Sequence, residues 1–133
     1  MANELILIVE DNPKNLKLVR DTLRVKGYRT IEAGTGEEGV QLAREQHPAL
    51  ILMDIQLPGI SGEEAFRQLR ADPGTRAIPV IAVTASVMAH DQKRIMAAGF
   101  DGFQGKPISV RELLETIRSV IEKTRHASAQ LDQ

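Results

Sequence analysis

The stretch LILMDIQLPG, residues 50–59, decides how the chain is read. Leu50, Ile51, Leu52 and Met53 form a short apolar run without helical spacing, which suits a strand buried on both faces. The run delivers a carboxylate, Asp54, and Pro58 and Gly59 then mark a turn. An acid at the tip of a hydrophobic strand is costly to ionise unless something compensates it. The stretch therefore poses a question of fold and a question of chemistry together.

Working outward, comparable runs stand at 5–9 (LILIV) and 78–84 (IPVIAVT), with a weaker one at 28–33 (YRTIEA) and a short GFQG at 102–105. Helical spacing fills the gaps between them. Leu16, Val19 and Leu23 share one face of a first helix, with Asn12 as its cap, Pro13 at its first position and Gly27 at its stop. Val40 and Ala43 mark a second helix, ended by His47 and Pro48. Ala65, Phe66 and Leu69 mark a third, ended near Asp72-Pro73-Gly74. A fourth runs from about Ala89 to Ala98 and stops at Gly99. Leu113, Leu114, Ile117, Val120 and Ile121 mark a fifth, with Ser109 and Glu112 spaced as a capping box. Strand and helix thus alternate five times, which predicts an α/β fold with a parallel sheet covered on both faces. The domain is read as residues 1–123. The tail 124–133 (TRHASAQLDQ) has lost the helical pattern and is expected to be frayed or disordered.

Composition narrows the function classes. At 133 residues, 42% hydrophobic and 26% charged, the chain is one globular domain with enough material for a core. Seventeen basic residues against 18 acidic ones leave no nucleic-acid footprint. The absence of cysteine excludes disulfides, thiolate metal sites and cysteine nucleophiles, and fits a reducing cytoplasm. No apolar run approaches ~18 residues, and MANELILIVE lacks a basic flank and a cleavage site, so neither a membrane span nor a signal peptide is expected.

In an open parallel sheet, chemistry gathers beyond the carboxyl ends of the strands. Glu10 and Asp11 follow the first run, Asp54 the third, Thr84 closes the fourth, and Lys106 follows the last. Three carboxylates, a hydroxyl and an ammonium are therefore expected on one sheet edge. Crowded carboxylates raise one another's pKa unless a cation sits among them. Oxygen donors without His or Cys suit a hard cation such as Mg²⁺, which typically completes its shell with water and a phosphate oxygen. A carboxylate can also act as nucleophile and form an aspartyl-phosphate.

The residues VEDN at 9–12, LMDIQLPGISG at 52–62, VTAS at 83–86 and GKPI at 105–108 resemble the response-regulator receiver domain of two-component signalling (the CheY-like superfamily). The resemblance spans roughly residues 4 to 123. Its wording is similar to single-domain, cell-division-type DivK-like receivers and to receivers of hybrid histidine kinases. The resemblance implies a flavodoxin-like doubly wound (βα)5 fold, and the strand order 2-1-3-4-5 comes from it rather than from the pattern. It implies that Asp54 is the phosphoacceptor, and that Asp11 binds Mg²⁺ directly and Glu10 through water. The backbone carbonyl of Gln56 is the third protein ligand. Thr84 matches the switch hydroxyl, Lys106 the pocket lysine and Phe103 the switch aromatic. The bond Lys106–Pro107 is expected to be cis.

Expected partners are a histidine kinase or histidine phosphotransfer protein and a downstream protein target, reached through the fourth helix, last strand and fifth helix. The exposed start of the first helix, with Asn15 and Leu16, is a docking surface for the kinase, or else Leu16 packs on the core. Ala85 keeps the acyl phosphate accessible, and Gln56 and Ser86 flank the route of attacking water. His47, His90 and His126 read as surface residues. The chain is expected to be a phosphoacceptor rather than an enzyme, assisting its own phosphorylation and dephosphorylation. Met1 and the patternless ending suggest a single-domain protein, the alternative being a receiver cut from a hybrid kinase or multidomain regulator. Two other classes fit less well. A haloacid-dehalogenase-like phosphatase wants a second acid two residues after its nucleophile, where Gln56 stands. A flavodoxin-like cofactor binder wants a glycine-bearing phosphate loop, where EDNPKN is acidic and has none.

Overall fold

The computed structural model describes residues 3–85 and 88–131, and side chains through residue 125. Elements alternate as β1 (Leu5–Val9), α1 (Pro13–Val25), β2 (Arg29–Ala33), α2 (Gly36–Gln46), β3 (Leu50–Asp54), α3 (Gly62–Ala71), β4 (Val80–Thr84), α4 (Ala89–Ala97), β5 (Gly102–Gly105) and α5 (Val110–Leu131). All strand pairs are parallel and the order is β2-β1-β3-β4-β5. This is the flavodoxin-like doubly wound sheet that the family resemblance implies.

The period-two alternation of a strand sorts each apolar run onto two faces. Leu7, Val9, Ile51, Met53, Val80 and Ala82 face α2, α3 and α4, where Val40, Phe66, Leu69 and Ile95 cover them. Ile6, Ile8, Leu50, Leu52, Ile81 and Val83 face α1 and α5, where Val19, Leu23, Leu113 and Ile117 cover them. Two hydrophobic layers therefore clamp one sheet. Truncating a side chain such as Leu52 to Ala would cost about 2–5 kcal/mol.

Local signals place the helices. Asn12 caps α1 by accepting from the Lys14 and Asn15 amides, and Thr35 and Ser61 cap α2 and α3 in the same way. Gly27 and Gly99 carry the positive φ values, 92° and 108°, that end α1 and follow α4. His47 takes up the left-handed cap of α2 at φ 48°. His47 and His90 are exposed, as expected, while the side chain of His126 lies outside the described residues.

Two expectations need correction. α5 continues to Leu131, so the chain beyond 123 is helical rather than patternless. The apolar stripe does end at Ile121, but residues 124–131 contain no Gly or Pro to stop the helix once α5 is nucleated on the core. The start of α1 is also less exposed than expected. Asn15 and Leu16 are half-buried, and Leu16 packs against the α1–α5 layer. It shares the stripe of Val19 and Leu23, whereas the apolar side chain that α1 shows to solvent near this end is Leu18, 42% exposed.

Candidate phosphoacceptor and cation site

Parallel pairing brings the strand ends level. Val9 pairs with Met53, Asp54 with Val83, and Thr84 with Gly105, so the residues that follow these positions meet at one edge. Asp54, 2% exposed, is the last residue of β3 and lies inside that edge. Gly62, the first residue of α3, is why the chain can turn there: a Cβ on it would lie 2.2 Å from the Asp54 carbonyl oxygen. The Gly62 amide donates to the Ile55 carbonyl at 3.0 Å, closing the loop from β3 to α3. Gly59 in the same loop has φ 77°, a conformation that favours glycine.

The carboxylates are held by backbone amides and one lysine. The Gln56 amide donates to Asp54 Oδ1 at 3.0 Å, and the Asn12 amide donates to Glu10 Oε2 at 3.1 Å. Lys106 Nζ bridges the remaining oxygens, 2.9 Å from Asp54 Oδ2 and 3.1 Å from Glu10 Oε1. Carboxylate oxygens of Glu10, Asp11 and Asp54 can all lie within 4.8 Å of one another. Glu10 is buried and Asp11 exposed, so the cluster has a dry side and a wet side. Asn12, not Asp11, caps α1, which leaves the Asp11 carboxylate for another role.

Electrostatics follow from this packing. Burial, reinforced by the neighbouring Asp54 carboxyl, pushes Glu10 up to about 7, against the pull of the Asn12 amide and Lys106. Burial draws the Lys106 ammonium toward neutrality, but the Asp54 and Glu10 carboxylates outweigh it and hold the group above its ordinary range. Lys106 thus stays charged at neutral pH. One ammonium among three carboxylates leaves surplus negative charge at the site.

The remaining predicted residues are placed as follows. Thr84 is buried at the end of β4, and its carbonyl accepts from the Lys106 amide at 2.8 Å. Phe103 lies opposite Ala82 on β5, half-buried against the α2–α4 layer. The Lys106–Pro107 bond is cis. Gln56 and Ala85 are exposed, and Ser86 lies outside the described residues. Sequence reasoning found every ionisable member of the cluster. It did not find the close approach of Gly62 to Asp54, for which the residue itself, directly after the cap Ser61, was the available signal.

The sequence profile of the response regulator receiver domain matches residues 6–118. The fold and this acidic edge define a receiver, and the chain belongs to the response regulator receiver family. It is 51% identical over 116 residues to the polar-differentiation response regulator DivK of Brucella abortus, covering 87% of this chain and 94% of that one. Among solved structures it is similar to the receiver domain of a sensor histidine kinase of Pseudomonas aeruginosa PAO1, with TM-score 0.83 and 35% identity over 90% of this chain and 98% of that one. That receiver was crystallised with magnesium ion coordinated in its active-site cleft. A CheY-like response regulator receiver domain protein from Methanospirillum hungatei superposes with TM-score 0.85 at 27% identity, covering 94% and 98% of the two chains. No described helix is long and apolar enough to cross a membrane.

Proposed function

We propose that this response regulator accepts a phosphoryl group on Asp54 from a phosphohistidine of a histidine kinase or phosphotransfer protein. The observation that carries this reading is the cluster of Glu10, Asp11 and Asp54 oxygens within 4.8 Å, with Lys106 bridging two of the three carboxylates. An all-oxygen donor set with surplus negative charge fits a hard divalent cation such as Mg²⁺. Asp11, Asp54 and the Gln56 carbonyl would hold it directly, with Glu10 acting through water. When bound, the ion neutralises charge on the oxygens of the transferred group.

The chain's own residues do the rest. The Gln56 amide holds Asp54 Oδ1, and Lys106 pairs with the second carboxylate oxygen, Oδ2. One of these oxygens attacks phosphorus, the P–N bond to the donor imidazole breaks, and the imidazole leaves with the electron pair and takes a proton from solvent. Lys106 is already 2.9 Å from Asp54 and needs little movement to pair with a phosphoryl oxygen. Thr84, buried beside the acceptor strand, donates its hydroxyl to another. Its displacement lets Phe103 turn inward and biases α4, β5 and α5 toward the form that a downstream protein binds. The attachment of α4 supports this. Only Ile95 among its residues is buried, its N-cap Met88 makes no side-chain cap bond, and Arg94 ties it to Glu63 of α3 at 2.5 Å. The same site returns the phosphoryl group to water, with Ala85 leaving access open. The chain works in the cytoplasm. The start of α1, with Asn15 and the exposed Leu18, receives the kinase, while Leu16 behind them packs on the core.

Intact-mass measurement after treatment with a small phosphodonor tests the proposal. Wild type with Mg²⁺ gains one phosphoryl group, and neither wild type with chelator nor Asp54→Asn does. Equal gain by Asp54→Asn would refute it. Charge reversal at Lys14 or Lys17 slows transfer from the kinase while leaving the small donor unaffected; equal slowing would place these residues in the pocket instead.

A further inference from the structure

A groove of ≈ 700 Å³ runs between the last turn of α1, the start of β2 and the first turns of α5, and the phosphoacceptor cluster contributes nothing to it. Its apolar wall includes Tyr28, Val110 and Leu114, and an adjoining cleft shares Lys26, Val110 and Leu114 and adds Asp21, Thr22 and Val25. Val25 is 83% exposed and Val110 38% exposed, which is unusual for β-branched aliphatic residues beside a half-buried tyrosine and leucine. Lys26 and Arg118 line the groove, both exposed, and neither forms an ion pair with any described residue. Arg111 is by contrast taken up by Glu115 at 3.4 Å.

We infer that this groove is a docking site for an acidic amphipathic segment of a partner protein. Aliphatic side chains of the segment fill the space between Val25, Tyr28, Val110 and Leu114, and its carboxylates pair with Lys26 and Arg118. Charge decides the occupant. Three cations, Lys26, Arg111 and Arg118, line the groove against Glu115, and the adjoining cleft adds Asp21 as its one further charged residue. A second copy docking through the same face would set those cations against their equivalents, which is unfavourable. An acidic helix meets them with complementary charge and offers the spacing that an apolar groove reads. The site lies apart from Asp54, so it allows a partner to be held whatever the phosphorylation state.

The test uses a synthetic peptide of about 15 residues with Leu at helical spacing and Glu elsewhere, and a control with Lys in place of Glu. Backbone amide shifts of the full chain are followed by NMR. The Glu peptide should move Val25, Lys26, Val110, Leu114 and Arg118, and the Lys peptide should not. Lys26→Glu and Arg118→Glu should each weaken binding about fivefold. Val25→Ser, a change at an exposed position that leaves the fold intact, should weaken it as well. All three variants should still accept phosphoryl groups from a small donor at the wild-type rate. Equal binding of both peptides, shifts confined to other surfaces, or concentration-dependent self-association centred on these residues would overturn the inference.

Discussion

The two ends of the sheet both carry charged networks, and they are built to opposite purposes. At the amino end, Arg70 of α3 donates to the Ile78 carbonyl at 2.8 Å and to Asp101 Oδ2 at 2.8 Å. Asp101 Oδ2 also accepts from the Val80 amide at 2.8 Å, so one carboxylate and one guanidinium join α3, β4 and the start of β5. The guanidinium lies 4.5 Å above the Phe66 ring, which stacks on Phe100 with centroids 3.9 Å apart. Acid and base are matched there. At the carboxyl end, Glu10, Asp11 and Asp54 cluster with one lysine that bridges only Glu10 and Asp54, and Glu10 is driven up to about 7. The amino end closes the fold, while the carboxyl end keeps unmatched charge for a ligand. Fold stability and chemistry are thus separated along the strand direction.

Breaking the carboxyl end should remove function before it removes the fold. Asp54→Asn is expected to abolish phosphoryl acceptance in the intact-mass assay while leaving the circular dichroism spectrum unchanged. Gly62→Ala strikes both, because its Cβ would overlap the Asp54 carbonyl. Urea unfolding should show a loss of about 3 kcal/mol, the upper range for overpacking, and phosphorylation should slow with it. A wild-type-like Gly62→Ala would mean that the β3–α3 loop has room the structure does not show.

Breaking the amino end should do the reverse. Arg70→Ala leaves the Ile78 carbonyl and Asp101 without their partner, and the expected loss is about 1–3 kcal/mol with an unchanged phosphorylation rate. A large drop in that rate would show that the two ends are coupled. A smaller effect sharpens the contrast. Glu10 titrates near 7 in the folded chain and at its ordinary lower value when unfolded. Between those values the folded chain binds more protons, so this contribution is full at low pH and is lost as pH rises through about 7. Without metal, Glu10→Gln should flatten the decline of unfolding free energy between roughly pH 5 and 8; an unaltered decline would assign it to another group. The least effect belongs to the exposed Lys17–Asp21 pair, where Lys17→Ala should change stability by less than about 0.5 kcal/mol.

The contrast also explains what the sequence makes legible. Strand ends are read directly from apolar runs, and GFQG at 102–105 coincides with β5, so the carboxyl-end residues could be gathered before any coordinates. The amino-end lock was invisible. Arg70 sits on a helix and Asp101 in a turn 31 residues away, and neither breaks a local pattern. Leu16 was ambiguous because a residue at the rim of a helical stripe is apolar whether it packs or docks. The length of α5 was missed because an apolar period records burial, while a helix already anchored continues until a breaker appears.

The central claim is that surplus negative charge at the carboxyl end is held for a divalent cation. Urea unfolding of the full chain at pH 8, followed by circular dichroism over a series of Mg²⁺ concentrations, tests it most directly. Wild type should gain about 1.4 kcal/mol for each tenfold increase once Mg²⁺ exceeds its dissociation constant, and Asp11→Asn with Asp54→Asn should lose that dependence. Stability independent of Mg²⁺ in wild type, or the same slope in the double variant, would contradict the account.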